Sequence, residues 1–230
     1  MDRVISSRDN EKLKLVRKLH DRRWRDKLGL FAVEGEDLLA DGIEPVELLV
    51  AGESVEPSLL AEVSTLAHPP RVIAVYRRGD LPRGTRPVTL ALWRVADPGN
   101  VGTLLRAADA FGAGVALSEG CADPTGPKAL RASMGSIFRV PLSSFDESPG
   151  KRVALVPDGG VPLPELQVDG DVVLVLGAER EGLPPEVLAR CDERATIPQP
   201  GGGDSLNVAM AGAIALYELA RRGSADFERQ

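Results

Sequence analysis

The stretch that most constrains this chain lies near its end. There the strand-like run Ala195, Thr196, Ile197, Pro198 passes through Gln199 to Asp204 and on into Ser205, Leu206, Asn207, Val208 and Ala209. Gly201, Gly202 and Gly203 stand in a row, so the backbone can take positive φ and lie against a ligand where a Cβ would collide. Asp204 or Ser205 is expected to cap a helix over 206–221. Almost every residue of that helix is apolar as far as Ala220, and Ala209, Ala211, Ala213, Ala215 and Ala220 spread small side chains over all its faces. A helix apolar all round is covered all round. A C-terminal helix usually lies at the surface of its own subunit, so a homodimer is expected, with a second subunit covering one face.

At 230 residues the chain has room for one large or two small domains with a real core. No apolar run reaches the roughly 18 to 20 residues of a membrane span, and the N-terminus lacks a signal-peptide pattern, so a soluble, cytoplasmic protein with no membrane partner is expected. Cys121 and Cys191 stand apart, as do His20 and His68. No disulfide framework and no metal site is suggested, and metal-assisted or Ser-His and Cys-His catalysis drops from the front rank. The formal net charge of -6 argues against a nucleic-acid partner only until its distribution is read. Residues 1–30 hold ten Lys and Arg against five Asp and Glu, which leaves the other 200 residues at -11. A basic segment that contacts RNA, carried on an acidic body, produces this asymmetry; so does a solvated charged helix.

A helix is expected from Ser6 or Ser7, with Leu13, Val16 and Leu19 on its apolar face and Arg17 and Lys18 elsewhere. Arg22, Arg23, Arg25 and Lys27 continue the cationic stripe around Trp24, which either packs or stacks on a base. Strands are expected at 31–33, 45–50 and 71–76 and helices at 34–41 and 58–66, which together make a small α/β unit over residues 1–80. The turn-rich segment 77–87 marks the boundary with a second domain, 81–230. In that domain strands at 88–93, 115–118, 139–142, 153–156, 172–176 and 195–197 alternate with helices at 101–111, 128–134, 185–190 and 206–221. Several of the strands are continuous apolar runs, as buried parallel strands are. The fold class is an α/β protein with an open, mostly parallel sheet and a ligand beyond the carboxyl ends of its strands. No G-x-G-x-x-G follows a strand and no G-x-x-x-x-G-K-[ST] occurs, which sets aside dinucleotide-binding and P-loop folds.

Three segments carry a resemblance. "DPGNVGTLLRAADAFGA" from Asp97, "LVLGAEREGL" from Leu174 and "IPQPGGGDSLNVAMAGAIALYE" from Ile197 resemble, in order and spacing, the three motifs of the SpoU (TrmH-like) branch of the SPOUT RNA methyltransferases. "FAVEG" at Phe31, after a basic helix, resembles the L30e-like substrate-binding domain that precedes the catalytic domain in many of them. The resemblance implies a C-terminal trefoil knot that binds S-adenosylmethionine, and methyl transfer to a ribose 2′-hydroxyl. It also implies Asn100, Arg106, Glu179, Ser205 and Asn207 as catalytic positions. The cofactor would lie against Val156, Pro157, Asp158, Leu176, Gly177, Gly182, Ile197, Pro198, Leu206 and Ala209. The chain departs from the family at Arg180, where glycine is usual.

The RNA-binding set is Arg17, Lys18, Arg22, Arg23, Arg25, Lys27 and Arg131. The leading domain favours large-subunit (23S) rRNA over tRNA. A tRNA methyltransferase, a catalytically silent RNA-binding protein of the same fold and a metabolic α/β enzyme are the alternatives. Arg106 is expected to act as a fixed cation toward a phosphate and the developing alkoxide, with the proton leaving to a phosphate, Glu179 or water.

Overall fold

The computed structural model describes residues 4–202 and 205–227. Its first elements are α1 (Glu11–Leu19), α2 (Arg22–Leu28), β1 (Leu30–Glu34), β2 (Glu47–Val50), α3 (Pro57–Val63) and β3 (Val72–Arg77). These strands form an antiparallel sheet in the order β1-β3-β2. The expected single N-terminal helix is two. Asn10 Oδ1 accepts from Lys12 N to start α1, and Asp21 Oδ1 accepts from Arg23 N to start α2. No helix forms over 34–41: Glu34 belongs to β1 and only a 3-10 turn, Glu36–Leu38, follows. The buried Glu34 carboxylate instead accepts from Ser64 Oγ and from the amide and hydroxyl of Thr65.

The second part runs β4 (Val88–Leu92), α4 (Pro98–Ala110), β5 (Gly114–Leu117), α5 (Pro127–Ser133), β6 (Leu142–Ser144), β7 (Lys151–Leu155), β8 (Val161–Pro162), β9 (Val172–Leu176), α6 (Pro185–Leu188), β10 (Glu193–Thr196) and α7 (Val208–Phe227). Its seven strands pair in parallel in the order β6-β5-β4-β9-β7-β10-β8. The central strands are buried on both faces, as their sequences require. Leu90 and Leu92 of β4 and Val172, Leu174 and Leu176 of β9 join the core beneath α4 and α7, while Ala91, Val173 and Val175 pack with Phe145 and with Val187 of α6 on the other side. The strand expected at 139–142 begins instead at Leu142, because Arg139 follows a 3-10 turn and its guanidinium bonds Asp109. The short edge strand β8 went unforeseen; two residues leave no periodicity to read.

Helix packing on the sheet is close. A Cβ on Gly102 of α4 would collide with Ala129 and Ala132 of α5, and one on Gly212 of α7 would collide with Leu104 of α4. The two sheets also share a core. Phe31 and Tyr76 of the small sheet pack on Phe138, with ring centroids 5.8 and 4.9 Å away, and all three belong to the cluster that holds Leu90 and Leu105.

Next to these rings sits a buried ionic clamp. Arg25 Nε donates to Asp123 Oδ2 at 2.8 Å, while Arg25 NH1 donates to the carbonyls of Leu19 and His20 at the end of α1. Arg78 NH2 donates to the same Asp123 oxygen at 2.6 Å and to Thr125 Oγ1. Arg25 is only 4% exposed, which corrects its assignment to RNA: it has no face left to offer. Burial pushes the Asp123 carboxyl up, yet Thr125, Arg78 and Arg25 outweigh it and hold the group below its usual range.

Stripping one partner from such a clamp leaves a buried charge uncompensated. Arg25→Ala is therefore expected to destabilise the fold by about 3 kcal/mol in urea denaturation. Because the Asp123 pKa is depressed on folding, its contribution is complete above the unfolded value of about 3.9 and is lost as the pH falls through the lower folded value. The gap between wild type and variant should narrow in that acid range.

Candidate active site

The pocket lies where the sheet dictates, past the carboxyl ends of the adjacent strands β9, β7 and β10. It is a cleft of about 230 Å³ lined by Leu155, Val156 and Pro157 after β7, Leu176 to Arg180 and Gly182 after β9, and Ile197, Gln199, Ser205, Leu206, Val208 and Ala211 around the entry to α7. Seven of the ten sequence-chosen cofactor positions are among these; Asp158, Pro198 and Ala209 are not. Leu155, Ala178, Gln199, Val208 and Ala211 were missed. Their only signal is their place beside a strand's carboxyl end or one helical turn from Leu206.

The loop after β9 is a tight hairpin. Ala178 and Gly182 exchange backbone hydrogen bonds of 3.1 and 2.9 Å around Glu179, Arg180 and Glu181, and Gly182 takes the positive φ of 66° that closes such three-residue loops. A Cβ on Gly177 would run into Gly182 and Leu183. Arg180 is not among the residues of positive φ, so the loop accepts an arginine there without backbone strain and aims an exposed cation at the pocket's edge.

One bridge joins the three loops. Asn207 Nδ2 donates to Asn100 Oδ1 at 3.1 Å, and Asn100 Nδ2 donates to Glu179 Oε1 at 2.9 Å. Glu179 also receives the amides of Ala96 and Asp97, so it holds the turn that leads into α4, while Asp97 Oδ1 caps that helix through the amides of Gly99 and Asn100. Asn207 Oδ1 accepts from Ala209 N and Met210 N, which makes Asn207 the cap of α7. This corrects Ser205 as the cap; Asp204 lies outside the described residues. Desolvation pushes the Glu179 carboxyl up, but the hydrogen bonds from Asn100 and from the amides of Glu179, Asp97 and Ala96 outweigh it and hold it below the usual carboxylate range. With its oxygens engaged and its basicity lowered, Glu179 is suited to positioning and poorly suited to taking a proton.

Ser205 and Leu206 line the pocket and make no hydrogen bond to any described residue. Apolar flanks from Leu155, Leu176, Ile197 and Leu206, backbone groups and a lone carboxylate at the edge suit an adenosyl group that carries a sulfonium. Arg106 projects from the third turn of α4, is exposed, and pairs with no described residue. Among the basic candidates, Arg22, Arg23, Lys18 and Lys27 are exposed, with the two lysine ammoniums 5.2 and 5.1 Å from the Trp24 ring centroid. Arg17 NH1 donates to Arg8 O, and Arg131 NH1 donates to Thr65 Oγ1 across the two sheets. Among the described residues there is no cluster of His, Cys, Asp and Glu that could hold a metal, and no helix is long and apolar enough to cross a membrane.

These features define an α/β enzyme that holds a nucleoside-like group at its strand ends without a dinucleotide fingerprint. A family model described as the SpoU rRNA Methylase family matches residues 87–217, more than half of the chain. The 23S rRNA (guanosine(2553)-2'-O)-methyltransferase RlmP of Bacillus subtilis is 32% identical over 243 residues that take in 94% of this chain and 98% of its own. An AdoMet-bound rRNA methyltransferase from Sinorhizobium meliloti matches with a TM-score of 0.84 at 30% identity, over 96% of this chain and 98% of its own. A further solved chain, described as giving structural insights into the 2-OH methylation of C/U34 on tRNA, matches with a TM-score of 0.56 at 31% identity; it covers 61% of this chain and 99% of its own. The chain belongs to the SpoU rRNA methylase family. It is an RNA methyltransferase that uses S-adenosylmethionine.

The bridge makes a separable forecast. Asn207→Ala should cost about 1 kcal/mol of stability through loss of the cap. Asn207→Asp keeps the capping oxygen and most of that stability but removes the donor to Asn100. Denaturation midpoints should therefore separate the two variants, while methyl transfer falls in both.

Proposed function

We propose that the protein methylates a ribose 2′-hydroxyl of 23S rRNA, with residues 1–80 binding the RNA and residues 81–230 carrying out the transfer. The observation that carries the reading is the Glu179–Asn100–Asn207 bridge at the edge of the pocket, with Arg106 unpaired on the helix that Asn100 opens. RlmP, named for a 23S rRNA 2'-O reaction, aligns along nearly the whole chain, whereas the neighbour named for tRNA matches only 61% of it. That contrast supports rRNA over tRNA, and an RNA substrate of this kind puts the protein in the cytoplasm. The family's trefoil knot belongs to the same proposal. The hairpin after β9 and the segment that enters α7 meet at the pocket, where such a knot would hold both.

S-adenosylmethionine, when bound, supplies an activated methyl group. Leu155, Leu176, Leu206 and Ile197 would flank its adenosine, and the polar groups of Ser205 and Leu206 would orient it. Asn100 and Asn207, locked by Glu179, fix the acceptor side. Arg106 holds a phosphate of the RNA and offsets the negative charge that develops on the ribose oxygen as its proton leaves; the oxygen–methyl bond would form as the methyl–sulfur bond of the sulfonium breaks, leaving a neutral thioether. The hydroxyl proton leaves to water, because Glu179 is engaged by Asn100 and by the amides of Ala96 and Asp97, and a phosphodiester is a weaker base than a carboxylate.

A homodimer completes the reading. Met210, Ile214 and Tyr217 of α7 are 56, 38 and 57% exposed and fall on one face at helical spacing, and Phe111 lies edge-on to Tyr217 with centroids 6.4 Å apart. Pairing two copies over this patch would cover it and bring Arg106 of one protomer toward the pocket of the other.

Two measurements test these assignments. Arg106→Lys, assayed with labelled S-adenosylmethionine and unmodified 23S rRNA at saturation, should lose at least roughly 100-fold in turnover with cofactor affinity unchanged, because lysine cannot present the planar fork. Near-full turnover would sink the guanidinium role, and label in tRNA alone would overturn the substrate. Met210→Asp with Tyr217→Asp should sediment as a monomer that no longer transfers methyl; a dimer of wild-type activity would refute the interface.

A further inference from the structure

Arg94 is one of two non-glycine residues with positive φ among the described residues, at 51°. L side chains rarely adopt this conformation, and where one persists the surroundings must hold it. Here they do. Arg94 N donates to Ser118 Oγ at 2.9 Å, Ser118 N to Leu92 O at 3.0 Å, and Ala122 N to Val95 O at 2.9 Å. The loops after β4 and β5 are thus stitched into a ledge along the carboxyl edge of the sheet. Two and three residues beyond Arg94, the amides of Ala96 and Asp97 are bound by Glu179, so the ledge is continuous with the active-site bridge.

The Arg94 side chain is displayed on this ledge. The residue is exposed, its stem passes over Gly120, and its guanidinium pairs with no described residue; exposed Glu119 leaves it free. From the other direction α2 brings Arg22 to the same turn, where its NH1 reaches Cys121 O at 3.4 Å while its side chain stays 61% exposed beside Asp26. Arg23 follows, exposed and unpaired. A basic helix and a strained arginine therefore meet on one turn between the small sheet and the methyl-transfer site. An unpaired planar fork fits a phosphodiester better than any other group RNA offers.

We infer that Arg94, with Arg22, forms a phosphate-gripping ledge that leads the RNA strand from the N-terminal unit to the active site. The inference rests on the methyl-transfer reading above and extends it to a positioning residue outside the three motifs. Arg94 acts on the backbone of the RNA and not on the reacting ribose.

The strain supplies its own control, because Arg94→Gly removes the guanidinium and relieves the backbone at once. Full-length wild type, Arg94→Gly, Arg22→Ala and Arg71→Ala would be titrated with an unmodified 23S rRNA transcript over a series of salt concentrations. Thermal unfolding, S-adenosylmethionine binding and methyl transfer at saturating RNA would be followed in parallel. Arg71, taken by Glu36 and Glu53, is the neutral comparison.

Arg94→Gly should weaken RNA binding roughly tenfold. It should also lower the slope of log K against log salt by about one ion. Its melting temperature should be no lower than wild type, and cofactor binding and saturated turnover should be unchanged. RNA affinity and salt slope equal to wild type would overturn the ledge, as would unfolding or lost cofactor binding, which would make Arg94 structural. Wild-type turnover with an unaffected Arg94→Gly leaves the methyl-transfer reading intact and removes the ledge. RNA binding that depends on Arg94 without any wild-type turnover does the reverse.

Discussion

The site depends on a single carboxylate that three donors at the entry to α4 hold in place. Glu179 sits after β9, yet it binds the amides that lead into α4 and the side chain of Asn100, which in turn receives Asn207 at the start of α7. Three segments, the outer two 107 residues apart in the chain, are thereby joined by hydrogen bonds. A charged acceptor makes stronger bonds than a neutral amide would, and each donor here would otherwise face only water. The result is a pocket edge whose geometry is set before any ligand arrives. Preorganisation of that kind is worth most where proximity and alignment supply the rate.

The same logic holds the two sheets together. Phe31, Tyr76 and Phe138 give an apolar contact without direction, and the clamp of Arg25, Arg78 and Asp123 supplies the direction. Hydrophobic burial alone would let one unit rotate on the other at small cost. A buried ion pair does not, since sliding it out of register leaves charges unpaired in a poor solvent. Any RNA held on α1 and α2 is then presented to the catalytic sheet at a fixed distance.

Much of this was legible in the residues and some was not, for reasons that differ by position. The apolar runs at 88–92 and 172–176 announced buried parallel strands because both of their faces are covered, so no alternation is needed. The motif positions Asn100, Glu179 and Asn207 could be picked out, but the hydrogen bonds that bring them together could not, because bonds between distant loops leave no period in a sequence. Glu179 was read as a catalytic position; its carboxylate binds the amides of Ala96 and Asp97, just before α4, as well as Asn100. Arg25 was misread because its neighbours on a helical stripe are exposed. Only the break at His20 and Asp21 turns it inward, and that break lies within a pattern that otherwise looks continuous. The expected helix over 34–41 failed because Glu34 had better partners in Ser64 and Thr65 than a helix could offer.

Net charge misleads for a related reason. What an RNA meets is not the total of -6 but the cations that remain after pairing. Arg25, Arg71, Arg78, Arg139, Arg190 and Lys128 are spent on carboxylates, and each such pair presents little field beyond its own contacts. Arg23, Arg94, Arg106 and Arg180 are among those that are not spent, as Arg83, Arg86 and Arg194 are too. The first four occur on the basic helix, on the ledge beside Gly120, on the helix that Asn100 opens, and at the edge of the pocket. Free cations gathered at such places give a negative protein local fields that orient a polyanion, which its net charge does not reveal.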